Sequence, residues 1–378
     1  MNKEYRVCTR CVSDTTLSGI RFDEQGVCNY CWVHDELERI YPIGPEGQRR
    51  LARIVEKIRR AGRNKPYDCI VGVSGGRDST YCLYMAVKLG LRPLAVHFDN
   101  GWDGEIAVRN IKNACGKLGV DLYTHVADWD EFRDLQIAFL RASVPEAEIP
   151  TDVAIHGTLC QAAVREGIRY ILLGHSFRTE GIAPIEWTYM DGRYIRAVRK
   201  RFGIKRQKTV PNFTAGEYIY YSLVKRIHVV PILNYLPYVH KDVMGMLEEK
   251  LEWRYYGGHH QESSYTHFCQ TVLFVTKFNI DKRLLEYSAL IRSGHMEREE
   301  ALKALSQTSP TPDPELVGYC IRKLGLTMDE WKGILADRPK SFRDYPTYYG
   351  LMQALRGPLT LAHRLGLISP ILYFKYLG

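Results

Sequence analysis

Two groups of residues in this 378-residue chain have types and spacings suited to chemistry. The first is a cysteine quartet, Cys8 and Cys11 followed by Cys28 and Cys31, in the pattern C-x2-C-x16-C-x2-C. Each pair fits a tight turn, and two such turns facing one another offer four thiolates to a tetrahedral zinc ion. With every position filled by Cys, the predicted site is closed and structural rather than catalytic. Gly19 and Gly26 suit short hairpins between the pairs. A segment of about 45 residues buries too little to fold alone, so the metal supplies the folding energy.

The second group is "VSGGRDST", residues 73–80. It lacks the lysine of a G-x4-G-K-[ST] loop and the spacing of a dinucleotide fingerprint. Gly75 and Gly76 expose backbone N–H groups between the hydroxyls of Ser74, Ser79 and Thr80. A helix N-terminus behind them adds its positive end, which makes an anion nest suited to pyrophosphate. Asp78 is repelled by phosphate there unless it holds Mg²⁺ or caps the helix, and both roles stay open.

The elements that must position these residues follow from periodicity. "PEGQRRLARIVEKIRRAGRNKPYD" carries Leu51, Ile54, Val55 and Ile58 at helical spacing, a connecting helix into the main domain. From residue 67, short apolar runs alternate with helical patterns. "CIVGVS", "PLAVHFD", "DLYTHVA", "RYILLGHS" and "RIHVVPIL" read as strands. "DSTYCLYMAVKLG", "AVRNIKNACGKLG", "HGTLCQAAVREG" and "HKDVMGMLEEKL" read as helices. This rhythm predicts an α/β domain with a parallel sheet, in which ligands gather at the carboxyl ends of strands. "SGGRDS", "DNGW" and "GHSFRTEG" all follow strands, so three loops are expected over one edge. Residues 265–378 are mostly helical in pattern, with "SQTSPTPDPELVG" as a proline-bearing hinge and the Trp331 and "DYPTYYGLMQAL" aromatics as core or interface.

"VSGGRDST" resembles the S-G-G-x-D-S loop of the PP-loop ATP pyrophosphatases, which cleave ATP to AMP and pyrophosphate. The resemblance implies pyrophosphate at the first loop, with Ser74, Gly75, Gly76, Asp78, Ser79 and Thr80 as contacts. It carries Asp99, Asn100 and Gly101 of "HFDNGW" over as further nucleotide contacts. "LLGHSFRTEG" is similar to a later G-H-x-x-x-x-E segment, which brings in Gly174 and His175, with Glu180 for Mg²⁺ or proton transfer. Relatives often place aspartates where this sequence has Phe177 and Arg178, a departure that bears on metal binding by that loop.

"CTRCVSDTTLSGIRFDEQGVCNYC" and "LEWRYYGGHHQESSYTHFCQTVLFVTKFNIDKRLLEYSALIRSGHMEREEAL" resemble the bacterial N-acetyl sugar amidotransferases of surface-polysaccharide biosynthesis. The order of quartet, PP-loop and Gly-His-Glu-Ser segment matches along nearly the whole chain. The resemblance implies ATP, Mg²⁺ and Zn²⁺ as cofactors and a nucleotide-linked acetamido sugar as substrate. It implies conversion of the acetamido group to an acetamidino group, through an O-adenylated imidate attacked by ammonia. Ammonia is expected from a separate glutaminase subunit with a cyclase-like barrel partner. His260 and Glu262 are its expected catalytic residues beside Asp78 and Glu180. A helix N-terminus capped by Ser263 or Ser264, with exposed histidines, is the competing reading of that segment.

The expected organisation is a zinc-ribbon-like domain at 1–45, a connecting helix at 46–66, the PP-loop α/β domain at 67–255 and a helical substrate or partner region at 256–378. The N-terminus lacks a signal-peptide core and no apolar run reaches membrane-spanning length, so a cytoplasmic protein without membrane contact is expected. The six other cysteines are scattered singly, with Cys69, Cys82 and Cys160 in apolar surroundings, as for buried thiols in a reducing compartment. A net charge of +9 fits a nucleic-acid partner or an anionic small substrate. Its densest run, "RYIRAVRKRFGIKRQK" at 193–208, reads equally as a solvated basic strand-loop or a binding surface for a diphosphate or a sugar carboxylate through Arg196, Arg199, Lys200 and Arg201. A PP-loop tRNA-modifying thiolase is the alternative enzyme. It ranks second because Cys69, Cys82, Cys115 and Cys160 form no C-x2-C pair in the α/β domain, and nucleic acid is therefore not the expected partner. A nucleotide-sensing adaptor without catalysis is a third reading, which the intact loop argues against.

Overall fold

The computed structural model describes residues 4–258, 261–307 and 311–378. Five strands form one sheet: β1 (Cys69–Gly72), β2 (Pro93–Asp99), β3 (Leu122–Val126), β4 (Tyr170–Leu173) and β5 (His228–Pro231). All neighbours are parallel, in the order β3-β2-β1-β4-β5, so β1 is central. The fold is therefore the expected parallel α/β domain, joined to an N-terminal four-cysteine module and a mainly helical C-terminal region.

The helices on the N-terminal side and in the sheet domain are α1 (Asn29–Ile40), α2 (Gly44–Gly62), α3 (Arg77–Lys88), α4 (Glu105–Leu118), α5 (Trp129–Ala142), α6 (Ile149–Arg165), the short turns α7 (Phe177–Glu180) and α8 (Ile185–Thr188), α9 (Gly192–Phe202), α10 (Ala215–Ile219) and α11 (His240–Leu251). Side-chain alternation decides which of them covers which face. Val71, Ala95 and Leu172 join a cluster with residues of α2, α3, α4 and α11. Ile70, Leu94, Val96 and Ile171 point the other way, onto Leu159, Cys160, Ala162 and Ala163 of α6. A sheet buried on both faces needs near-continuous apolar strands, and the first six residues of β2 are all buried.

Helices α12 (Ser264–Phe268), α13 (Phe274–Phe278), α14 (Arg283–Arg292), α15 (Arg298–Gln307), α16 (Pro314–Leu324), α17 (Met328–Ala336), α18 (Tyr349–Ala354), α19 (Arg356–Arg364) and α20 (Pro370–Tyr376) complete the chain. Tyr265, Phe268, Trp331 and Phe342 bury among residues of α5 and α9. The cysteine quartet shares a cluster with Phe274, Leu284 and Leu285. All ten cysteines are buried and unbridged. No helix among the described residues is long and apolar enough to cross a membrane.

The basic run at 193–208 departs from the strand-loop reading. Its first ten residues lie in helix α9, where Asp191 accepts a hydrogen bond from the Tyr194 N–H at 2.6 Å and Tyr194, Ile195 and Val198 are buried. The apolar residues at i, i+1 and i+4 make a helical face, and the cations occupy the opposite side.

The loop after β1 depends on one glycine. Gly75 has φ +78°, and a Cβ there would lie 2.2 Å from the Ala107 carbonyl oxygen of α4. Both the backbone region and the contact exclude a side chain. Gly75→Ala is expected to cost about 2 kcal/mol or more in denaturant unfolding; an unchanged midpoint would show that α4 can withdraw.

Candidate functional site

Parallel order places the loops after β1, β2 and β4 at one edge, with β1 between the other two. The first loop is held open by its own hydroxyls. The Ser74 N–H donates to Ser79 Oγ at 3.1 Å, and the Gly76 N–H lies 3.3 Å from Ser74 Oγ. The Gly75 carbonyl accepts from Asn110 Nδ2 at 3.1 Å and from Trp253 Nε1 at 3.0 Å. These two donors turn the carbonyl away and so orient the following N–H. Thr80 is buried with its hydroxyl donating to the Gly76 carbonyl at 2.7 Å, so it braces the turn rather than presenting a free hydroxyl.

Asp78 lies in the first turn of α3. Its Oδ1 pairs with Arg77 Nε at 2.8 Å and accepts the Tyr238 hydroxyl. Arg77 Nε also reaches Tyr238 Oη at 2.9 Å, while its Nη2 is buried with no hydrogen-bond partner among the described residues. An orphaned guanidinium nitrogen beside a glycine-rich helix start fits a phosphate oxygen that would complete it. The Arg77 side chain is 11% exposed, and burial that disfavours its charge is outweighed by Asp78, so its pKa is raised. Arg77 occupies the variable position of the loop pattern, which gave no sequence signal for it.

The second loop turns its polar side chains inward. Asp99 Oδ1 accepts the Gly101 N–H at 2.8 Å, and Asn100 Oδ1 accepts the Trp102 N–H at 3.1 Å. Gly101, at φ +81°, lies against the Trp129 ring. In the third loop Gly174 packs directly on α3: a Cβ there would stand 2.7 Å from the Asp78 carbonyl oxygen. His175 is exposed, and Glu180 Oε1 lies 3.3 Å from the Ser176 N–H. Phe177 and Arg178, the two departures from the aspartate-bearing pattern, face away from this edge. Phe177 packs on His34 and Tyr41, and Arg178 donates to the Tyr41 carbonyl at 2.7 Å and the Asn234 carbonyl at 2.8 Å.

Glu262 arrives from the far end of the chain. The Gly104 N–H donates to its carbonyl at 2.9 Å, Asp103 and Ser263 form a bridge, and the Ser264 N–H donates to the Trp102 carbonyl at 3.0 Å. This main-chain clasp sets Glu262 Oε1 3.2 Å from Ser74 Oγ, and the same atom would lie 2.9 Å from a Cβ on Gly76, beside the Tyr256 hydroxyl. Ser263 does cap α12, accepting the Thr266 N–H at 3.3 Å, so the cap and the loop contact coexist. His260 lies outside the described residues.

A second group of carboxylates comes from the start of α6. Burial pushes Glu148 up to about 8 and Glu146 up to about 7. The Asp152 carboxyl is raised as well, by desolvation first; nearby His175 opposes that rise and Glu180 adds to it. Glu148 bonds Thr151 at 3.2 Å and also accepts the Thr266 hydroxyl of α12. None of these acids has a motif around it.

The cysteine quartet closes as its spacing requires. All four sulfurs lie within 4.8 Å of one another, with Cys8–Cys31 and Cys11–Cys28 at 3.8 Å and Cys28–Cys31 at 3.7 Å. Tetrahedral ligands about 2.3 Å from zinc stand about 3.8 Å apart, so the donors fit such an ion. The Cys28 N–H at 3.3 Å from Cys8 Sγ and the Ser13 N–H at 3.4 Å from Cys11 Sγ face the sulfurs as donors to thiolates do.

Residues 262–356 match the model of a family described as "LPS biosynthesis protein WbpG-like, C-terminal domain". A search of curated proteins finds no match. Among solved structures the chain is similar to a U34-tRNA thiolase from Methanococcus maripaludis with its 4Fe–4S cluster, at 14% identity over 84% of this chain and 97% of that one, TM-score 0.32. It is similar also to an NH3-dependent NAD synthetase from Campylobacter jejuni, at 11% identity over 78% and 98%, TM-score 0.29. An NMN synthetase from Francisella tularensis matches at 13% identity over 57% and 98%, TM-score 0.27. Similarities of this size leave the reading to rest on the chain's own loops.

Two outcomes follow from the geometry. Glu262→Gln removes a negative charge from beside the nest, so pyrophosphate binding without Mg²⁺ is expected to tighten several-fold in titration calorimetry; equal affinities would place Glu262 away from the ligand. Glu146 and Glu148 hold protons more tightly folded than unfolded, since their folded values of about 7 and about 8 stand above the usual carboxyl range. The stability they lend is complete below the unfolded pKa and is lost as pH rises through the folded values. Unfolding free energy is expected to drop by roughly a few kcal/mol from about pH 6 to about pH 9, and Glu148→Gln to lessen that drop. An identical slope in the variant would remove Glu148 as its source.

Proposed function

We propose that the chain is an ATP-dependent, AMP-forming amidotransferase acting on an acetamido group of a nucleotide-linked sugar, in O-antigen or related surface-glycan biosynthesis. The observation that carries the reading is the contact of Glu262 with Ser74: the segment that matches a lipopolysaccharide-biosynthesis domain begins at the residue set over the nucleotide-type loop.

A neutral amide resists ammonia because resonance makes its oxygen a poor leaving group. In the proposed reaction the amide oxygen attacks the α-phosphate, the bond to pyrophosphate breaks, and an O-adenylated imidate forms. Ammonia then adds to the imidate carbon and AMP leaves with the former amide oxygen. The proton lost by nitrogen goes to a nearby base, and the acetamidino product remains. Ser74, Gly75, Gly76 and Ser79 hold the departing pyrophosphate, with Arg77 supplying charge where it develops. Asp78 and Glu262 are the carboxylates that would hold Mg²⁺, which neutralises phosphate charge when bound. Glu180 and Asp152 are candidate proton acceptors, and His260 is retained as a substrate contact. Zn²⁺ in the quartet is structural. The setting is cytoplasmic, and ammonia comes from a separate glutaminase with a cyclase-like barrel partner.

The thiolase alternative needs reactive cysteines near the nucleotide, and those of the α/β domain do not fit. Cys69 and Cys82 pack in one core cluster and Cys160 in another; burial pushes the Cys160 thiol up to about 12 and Cys115 up to about 11.

Mass spectrometry of a reaction with ATP, Mg²⁺, ammonium salt and nucleotide-linked diacetamido sugars tests the proposal. A sugar lighter by about one dalton, formed with one AMP, is expected, and Asp78→Ala is expected to fold and form no AMP. AMP formation that depends on tRNA instead of sugar would transfer the chain to the thiolase class.

A further inference from the structure

Arg292 ends α14 and is only 8% exposed. Its Nη2 donates to Cys11 Sγ at 3.2 Å and to Ser13 Oγ at 2.9 Å, its Nε donates to Cys31 Sγ at 3.3 Å, and Cys28 Sγ stands 3.8 Å away. No carboxylate pairs with it among the described residues. A buried guanidinium is tolerated only beside compensating negative charge. Four thiolates around a divalent ion carry a net excess of negative charge, so this cation matches a loaded centre. Without the ion, four thiolates cannot be held side by side, and Arg292 keeps a buried charge with no full partner.

The same helix touches both the quartet and the segment that continues the β4 loop. One turn before Arg292, Ser288 Oγ meets Ser13 Oγ at 3.0 Å. Just beyond it, Arg298 donates to the Cys8 carbonyl at 2.9 Å and the Cys11 carbonyl at 3.1 Å. On its other side, Ser293 Oγ lies 2.9 Å from both the Arg178 carbonyl and the Ala289 carbonyl of its own helix, and so bridges the two segments. Leu285 and Ala289 press on Gly181, where a Cβ would come within 3.2 Å of Leu285 Cδ1. Helix α7 thus lies between α14 and the His175 loop.

We infer that Arg292 is the outer-sphere cation of the four-cysteine metal centre, and that α14 transmits occupancy of that centre to the 174–181 loop at the nucleotide site. Arg292 is a positioning residue: it touches the ligating sulfurs, and the loop feels it through Ser293, Leu285 and Ala289. The inference is independent of which sugar, or which acceptor at all, the enzyme uses.

The test uses the full-length, metal-loaded protein, with metal content by plasma mass spectrometry and zinc affinity by competition with a chromophoric chelator. Arg292→Met is expected to weaken zinc retention by about tenfold or more, with Arg292→Lys recovering part of the loss. Hydrogen exchange in residues 174–181 is expected to speed up when zinc is stripped from the wild type. Ser293→Ala, which leaves every sulfur contact in place, is expected to speed exchange there at full zinc occupancy. Equal zinc affinity in Arg292→Met overturns the first half. Faster exchange confined to residues 5–40 on stripping overturns the second. Should Arg292→Met fail to fold, the Lys variant and the stripped wild type still decide both.

Discussion

A glycine turn at a helix start keeps its shape only if its carbonyls and side chains are held from outside, and much of this molecule is arranged around that requirement. The Gly75 carbonyl is tied back by Asn110 and Trp253, which belong to α4 and to the residue stretch after α11. Thr80 gives its hydroxyl to the Gly76 carbonyl, and Gly174 brings the β4 loop flat against the first turn of α3. The central place of β1 in the sheet lets loops close on it from both sides. The Ser74 and Gly76 N–H groups meanwhile rest on the Ser79 and Ser74 hydroxyls, so an anion bound there would exchange those short internal bonds for its own.

The sequence displays what is local. The five strands and the helices α2, α3, α4, α6 and α11 come from runs whose period is read within about a dozen residues. The quartet and the S-G-G-x-D-S loop are likewise short. What stayed hidden is set by contacts between distant positions. Tyr238 reaches Asp78 across 160 residues and Glu262 reaches Ser74 across 188, and no window spans either pair. Side-chain direction was hidden as well. Thr80, Asp99 and Asn100 have the right types to meet a ligand, yet their oxygens serve the backbone next to them. The basic run looked like loop because its cations mask a narrow apolar face on α9.

The N-terminal module shows the same division. Cysteine spacing announces a tetrahedral site, but nothing in residues 1–45 reveals where it docks. Its counter-charge and its seat come from α13, α14 and α15, and Phe177 and Arg178 join α1 to the β4 loop. Two residues that depart from the expected metal-binding pattern are thereby given a structural reason: they fasten the module to the sheet domain rather than line its edge.

The clasp between Gly104 and Glu262 has a consequence for how the molecule is made. A chain emerging from the ribosome releases β5 at residues 228–231 before it releases residue 262. The sheet therefore has all its strands, and the glycine loop its helix, before the cover over that loop is released. Contacts separated by so many residues form late and slowly. The nascent chain thus passes through a stage in which the glycine loop stands uncovered, before the rest of the chain closes over it.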